Sequence, residues 1–254
     1  MSAKFDELRN RLAEIIDLGA ASAVLGWDQQ TYMPPGGAEA RAMQLSTLSK
    51  TTHDWFVSDE IGQLLDDLEA ELSDTDYHSF EASAVRVTRR AYDRERKLPT
   101  ELVTELSKTA SLARAAWQTS REESDFSQFE PYLEKILDLT IQKAEAWGYE
   151  DRVYDALLEG FEPGMKAAQV ETLFGEMKEG LVPLVQAIAE RKDAVDDALF
   201  AQDFDVDKQW DFGIEVITAL GFDFEHGRQD KTAHPFTTSF SPSDVRLTTR
   251  LYPD

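Results

Sequence analysis

The chain has 254 residues, 42% hydrophobic and 10% aromatic, with no cysteine and a formal net charge of −23. That length and apolar content suffice for a buried core, while the missing cysteines exclude disulfides and thiolate metal sites. The acidic surplus argues against nucleic acid as a partner, because phosphate binding needs a basic surface.

No apolar run approaches the ~20 residues of a membrane span, and Met1 to Asn10 lacks the apolar core of a secretory signal. A cytoplasmic protein without a membrane partner is the default expectation. The acidity has two readings. One is a solvated face that aids solubility. The other is adaptation to a salt-rich cytoplasm, favoured by the low lysine count of 11.

Lys4 to Leu25 carries Leu8, Leu12, Ile15, Ile16, Ala20 and Ala23 at helical spacing. Trp27-Asp28 and then Pro34-Pro35-Gly36-Gly37 are expected to break this helix, with Asp28 as a cap and Trp27 in the core. Ala38 to Phe56 resumes it, with Leu45 and Leu48 inward. Ser58 suits the N-cap of a third helix, whose Ile61, Leu64, Leu65, Leu68 and Leu72 form an amphipathic stripe.

A further helical pattern spans about Asp76 to Arg96, and Pro99 opens the next, with Leu102, Leu106, Ala113 and Trp117. Phe129 to Trp147 forms another, closed by Gly148. Tyr154 to Leu158 is short and ends at Phe161-Glu162-Pro163-Gly164. Val170, Leu173, Phe174, Met177 and Leu181 line the following helix, which Pro183 kinks or restarts. The last helix runs from about Val206 to Leu220, stopped by Gly221. No repeat or internal boundary appears. The class is all-α with a small β element after about Phe222.

The search for chemistry is mostly negative. His53, His78, His226 and His234 are the only histidines, and none lies four residues from another, so the His-Glu-x-x-His arrangement is missing. A core or surface role is expected for His53, His78 and His226. Neither a Gly-rich phosphate loop nor a Gly-x-Ser-x-Gly elbow occurs. Carboxylate pairs are too abundant for any one to be nominated.

Near the C-terminal end the text changes to Thr, Phe, Ser and Val around His234-Pro235-Phe236 and Asp244-Val245-Arg246-Leu247-Thr248-Thr249. On an alternating strand, Asp244, Arg246 and Thr248 share one face. An arginine held by an aspartate and a hydroxyl suits a carboxylate, since its planar fork binds two oxygens. A purely local Asp244–Arg246 salt bridge is the equal alternative.

Trp27-Asp28-Gln29, Thr31 and Met33-Pro34, then Gly36-Gly37 through Arg41, resemble the N-terminal signature of the thermostable metallocarboxypeptidases. Tyr154-Asp155-Ala156-Leu157-Leu158 and Phe161-Glu162-Pro163-Gly164 are similar to that family's middle region, and His-Pro-Phe and Asp-x-Arg-x-Thr are two of its hallmark motifs.

The resemblance implies a largely helical, neurolysin-like fold and a peptide substrate, cut one residue at a time from its C-terminus. It implies a divalent metal, zinc or cobalt, in the complete enzyme, held by a His-Glu-x-x-His helix. That helix is expected just beyond Asp254, so residues 1–254 read as an N-terminal portion with no metal ligand or catalytic residue of their own. His234, Asp244, Arg246 and Thr248 are then expected to line the substrate groove. A homo-oligomer, or association with the missing C-terminal half, is expected for the exposed half-core. A non-catalytic helical interaction protein, or one half of a split enzyme, is the alternative.

Overall fold

The computed structural model describes residues 2–194, 198 and 202–253. Helix α1 (Ala3–Thr31) begins at Ser2, whose hydroxyl accepts the Phe5 N–H, as N-capping requires. It runs straight through Trp27 and Asp28, so the expected break there is corrected. Neither side chain forbids helical dihedrals; the stop comes from Pro34, which forces extended backbone before it. Asp28 is not a cap: its carbonyl accepts the N–H groups of Tyr32 and Met33 near the helix end. Trp27 is buried, as expected.

Helix α2 (Ala38–Phe56) returns along α1 and packs closely against α5 (Thr100–Glu123). Small hydroxyl side chains permit that approach: Ser46 Oγ donates to the Thr104 carbonyl at 3.1 Å and Ser49 Oγ to Ser107 Oγ at 2.8 Å. Between them lie α3 (Asp59–Glu71) and α4 (Phe80–Glu95). Ser58 caps α3 as its sequence position indicates, and Ser79 caps α4. That cap sets the start of α4 at Phe80, later than the expected Asp76.

The stripe of α3 meets α1 and α4 in one apolar cluster of Phe5, Leu8, Ile61, Leu65, Leu68, Val85 and Tyr92. Full burial of such side chains stabilises by about 1.5–3 kcal/mol each. Gly62 is required here, because a Cβ at that position collides with the Tyr92 hydroxyl.

Helix α6 (Glu130–Trp147) packs on α5 and ends at Gly148, whose φ of +83° is the left-handed exit that glycine tolerates. Helix α7 (Val153–Leu158) is a single short segment. Its buried Asp155 accepts the Ala167 N–H at 2.7 Å and so fixes the start of α8 (Ala167–Ala189).

Pro183 sits inside α8 without splitting it. Beyond Val170 this helix is exposed all round, including Leu173, Phe174, Met177, Leu181, Leu184 and Ile188. Helix α9 (Val206–Ala219) follows, capped by Asp205.

The chain then forms three strands, β1 (Gly227–Lys231), β2 (Thr237–Ser241) and β3 (Asp244–Thr249). β3 is central, parallel to β1 and antiparallel to β2. The all-α class with a small C-terminal β element therefore holds. β2 lies against α1, which carries the sheet to Trp27.

Candidate functional site

β3 brings together the two hallmark motifs near the C-terminal end. Thr248 is buried, and its hydroxyl donates to the Phe236 carbonyl while accepting the Phe236 N–H, both at 2.7 Å. Arg250 and Arg121 both donate to the Ala233 carbonyl, at 2.8 and 3.3 Å. The His-Pro-Phe turn is thus clamped from β3 on one side and α5 on the other. The expectation that Thr248 helps hold Arg246 is corrected: its hydroxyl bonds the Phe236 backbone, as burial favours, and Arg246 donates to Asp244 instead.

His234 is exposed and meets the edge of the Trp117 ring at 6.3 Å between centroids. It stands at the rim of a hollow of about 360 Å³, whose floor includes Ala113, Phe129 and Ile136. Arg246 lies elsewhere on the sheet. Its guanidinium is 4.7 Å from the centre of the Trp27 ring and 5.3 Å from that of Phe240. Such placement over an aromatic face is attractive by cation–π interaction.

Arg246 Nε donates to Asp244 Oδ1 at 2.5 Å and a terminal nitrogen to Oδ2 at 3.0 Å, the bidentate geometry that matches fork to carboxylate. The hydrogen bond from Arg246 holds the Asp244 carboxyl below its ordinary value of 3.8. The salt bridge anticipated as one of two alternatives therefore exists.

A second guanidinium sits beside it. Arg228 of β1 is directly in register with Arg246 of β3, on neighbouring strands whose spacing is ~4.8 Å. Arg228 Nε donates to Asp230 Oδ2 at 2.8 Å, and a terminal nitrogen reaches the Tyr32 hydroxyl, also at 2.8 Å. Its guanidinium lies 5.4 Å from the centres of both the Trp27 and Tyr32 rings. Asp230, 4% exposed, also accepts the Tyr32 hydroxyl proton. That hydrogen bond raises the Tyr32 pKa above its usual 10.0, with burial adding to it.

The result is two arginines side by side, each neutralised by a carboxylate two residues along its own strand. Arg228 is the more open, at 48% side-chain exposure against 19% for Arg246. Sequence reading missed Arg228, Asp230 and Tyr32. A signal existed: Arg228-x-Asp230 mirrors Asp244-x-Arg246, but only strand register makes the mirror a site.

Arg41 completes the frame at the end of α1. Its guanidinium, 12% exposed, donates to Asp28 Oδ2 at 2.6 Å and to the Leu25 carbonyl, locking the start of α2 onto the turn that carries Trp27 and Tyr32.

Among the described residues, no three His, Cys, Asp or Glu side chains gather to hold a metal. The histidines are engaged or isolated. His53 is buried against the Glu95 carbonyl and Thr100, and His226 pairs with Asp223 at 2.6 Å. These residues do not fit a catalytic metal centre. No helix among the described residues is long and apolar enough to cross a membrane.

The chain is 37% identical to thermostable carboxypeptidase 1 of Thermus thermophilus over 98% of its own length and 50% of that protein. To carboxypeptidase 1 of Bacillus subtilis it is 34% identical, over 96% of itself and 48% of that protein. The BsuCP crystal structure superposes with a TM-score of 0.93 at 32% identity, covering 99% of this chain and 50% of that one. The apo-Mg structure of Pyrococcus furiosus carboxypeptidase gives 0.81, also at 32%, covering 98% and 50%. The chain thus spans about half the length of the relatives it matches. The model of the carboxypeptidase Taq (M32) metallopeptidases matches residues 7–254, and with the shared fold and motifs this establishes that the chain belongs to that metallopeptidase family.

Proposed function

We propose that this chain is the N-terminal portion of a metal-dependent carboxypeptidase that removes single residues from peptide C-termini, and that its sheet forms one wall of the peptide groove. In this reading the zinc or cobalt ligands come from polypeptide outside residues 1–254, so the chain alone is inactive. Arg246 and His234 face the peptide, Asp244 orients Arg246, and Thr248 acts indirectly by fixing the turn before His234. A cytoplasmic, soluble setting goes with this reading.

The observation that carries it is the Arg246 guanidinium, part-exposed over Trp27 and flanked in register by Arg228. The guanidinium N–H groups that Arg228 and Arg246 do not give to Asp230 and Asp244, set on a desolvating aromatic surface, are suited to a peptide carboxylate. The apolar face of α8, exposed from Leu173 to Ile188, favours further polypeptide packing there, either the C-terminal half of the enzyme or a second copy.

The test is calorimetric titration of the chain with a tripeptide bearing either a free C-terminal carboxylate or an amide. The free acid is expected to bind at least several-fold more tightly, and Arg246→Ala to erase the difference. Equal affinity of both peptides for the unaltered chain would sink the proposal. A second test adds a separately produced segment carrying His-Glu-x-x-His with zinc or cobalt: peptidase activity is expected in the mixture and in neither part alone.

A further inference from the structure

Away from the sheet, α4 carries a row of cations that the groove does not use. Arg86, Arg90 and Arg94 follow one another at four-residue intervals, and Lys97 lies just past the helix end. Residues so spaced share one helix face, where like charges destabilise the helix. In a chain of 49 acidic and 26 basic residues, each of these cations has many carboxylates to choose from. Only Arg90 takes one, Glu159 of the α7 end.

Among the described residues, Arg86, Arg94 and Lys97 have no carboxylate at salt-bridge distance. Arg86 lies 3.8 Å over the Tyr77 ring and donates to the Tyr77 carbonyl at 3.1 Å. Arg94 lies flat on the Trp147 ring at 3.7 Å and gives one hydrogen bond, 2.9 Å to the Ala156 carbonyl. Lys97 Nζ donates to the Trp147 carbonyl, also at 2.9 Å. Arg94 is partly buried, and that burial lowers its pKa from the usual arginine value. Glu159 and Glu95 act on it only from beyond salt-bridge distance, and burial outweighs them, so its charge is desolvated without a contacting carboxylate, an arrangement that costs stability unless a negative partner is supplied.

These groups border one open cleft of about 510 Å³ between α4, the end of α6 and α7, where six cationic side chains face four carboxylates. All four carboxylates are already committed: Glu159 is held by Arg90 and by the Gly164 N–H at 2.7 Å, Asp155 by the Ala167 N–H, and Glu69 and Asp93 by Arg89 at 3.3 and 3.5 Å. Aromatic stacking and backbone bonds fix the cations in place, so little rotamer entropy remains to be lost on binding.

We infer that this cleft is a binding site for a small multivalent oxyanion of the phosphate class, gripped by Arg94 and Lys97 with Arg86 at its edge. The site is separate from the peptide groove, and the proposal does not rest on the carboxypeptidase reading.

The test titrates the full chain at low ionic strength with inorganic phosphate, against potassium chloride at matched ionic strength, and follows binding by calorimetry and phosphorus NMR line width. Phosphate is expected to bind saturably and chloride not to. Lys97→Ala should weaken binding at least threefold and the Arg94→Ala/Lys97→Ala double variant at least tenfold. Arg94→Lys keeps the charge but loses the fork, and should fall between them. Lys50→Ala, outside the cleft, should bind like the unaltered chain.

Circular dichroism checks that each variant is folded, and Lys97, being exposed, can be changed without touching the core. Free phosphate and phosphate monoesters share this chemistry, so O-phosphoserine is titrated in parallel, and tighter binding of either one names the source. A chloride response equal to that of phosphate overturns the proposal. So does folded Lys97→Ala titrating like the unaltered chain.

Discussion

Helices α3 and α8 carry the same kind of apolar stripe and meet opposite fates. In α3, Ile61, Leu65 and Leu68 are buried against α1 and α4. In α8, Leu173, Phe174, Met177, Leu181, Leu184 and Ile188 stand exposed, although Asp155 anchors the helix start. A stripe encodes a face that must be covered. It does not encode by what, and only the packing of other elements distinguishes a covered face from one left exposed among the described residues.

The comparison breaks first at Leu65, which is 0% exposed. Leu65→Ala should cost about 2–5 kcal/mol through lost burial and a residual cavity, read from denaturant unfolding. An equally large loss for Leu184→Ser in α8 would abolish the contrast drawn between the two helices. Next is Arg41→Ala, which leaves Asp28 without its partner and frees α2 from the α1 end. A loss of about 1.5–3 kcal/mol is expected for hydrogen bonds to a charged group, with tryptophan fluorescence reporting the loosened turn near Trp27.

Leu184→Ser and Phe174→Ser should each change folding stability by no more than about 0.5 kcal/mol, as surface substitutions do. They should still lower the binding of a hydrophobic dye and any self-association seen by light scattering. Unchanged dye binding in both variants would show that α8 is not the open face.

Smaller still is the titration of Tyr32. Its raised pKa means that the stabilising contact with Asp230 is present below the ordinary 10.0 and is lost as pH climbs through the higher folded value. Asp230→Asn should bring the tyrosinate absorbance of Tyr32 back toward 10.0. Asp244 runs the other way. Its lowered pKa places the contribution of the Arg246 pair above the ordinary 3.8, with loss on acidification below it. Both side chains are well exposed, so each effect on stability is small. Melting curves with and without Asp244→Asn should converge only at acid pH.

Much of the helical body was legible because its signals are local. Ser58 caps α3, Gly148 ends α6, and the leucine spacing of α3 marks the buried side. The α1 end was misjudged, since Trp27 and Asp28 look like punctuation but have no steric reason to stop a helix, whereas Pro34 does. At the candidate site, His234, Asp244 and Arg246 were visible as residue types out of keeping with the helical text. Arg228, Asp230 and Tyr32 were not, since their meeting joins positions almost two hundred residues apart.

By itself the sequence determined the helix order, the late β element, the acidic charge and the family resemblance, all of which follow from short-range periodicity, caps and contiguous motifs. Tertiary structure alone decided that β1 and β3 run parallel with Arg228 beside Arg246, that Thr248 serves the His-Pro-Phe turn rather than Arg246, and that α8 stays uncovered. Those outcomes depend on strand register and on which surfaces meet, and long-range closure of the chain sets both.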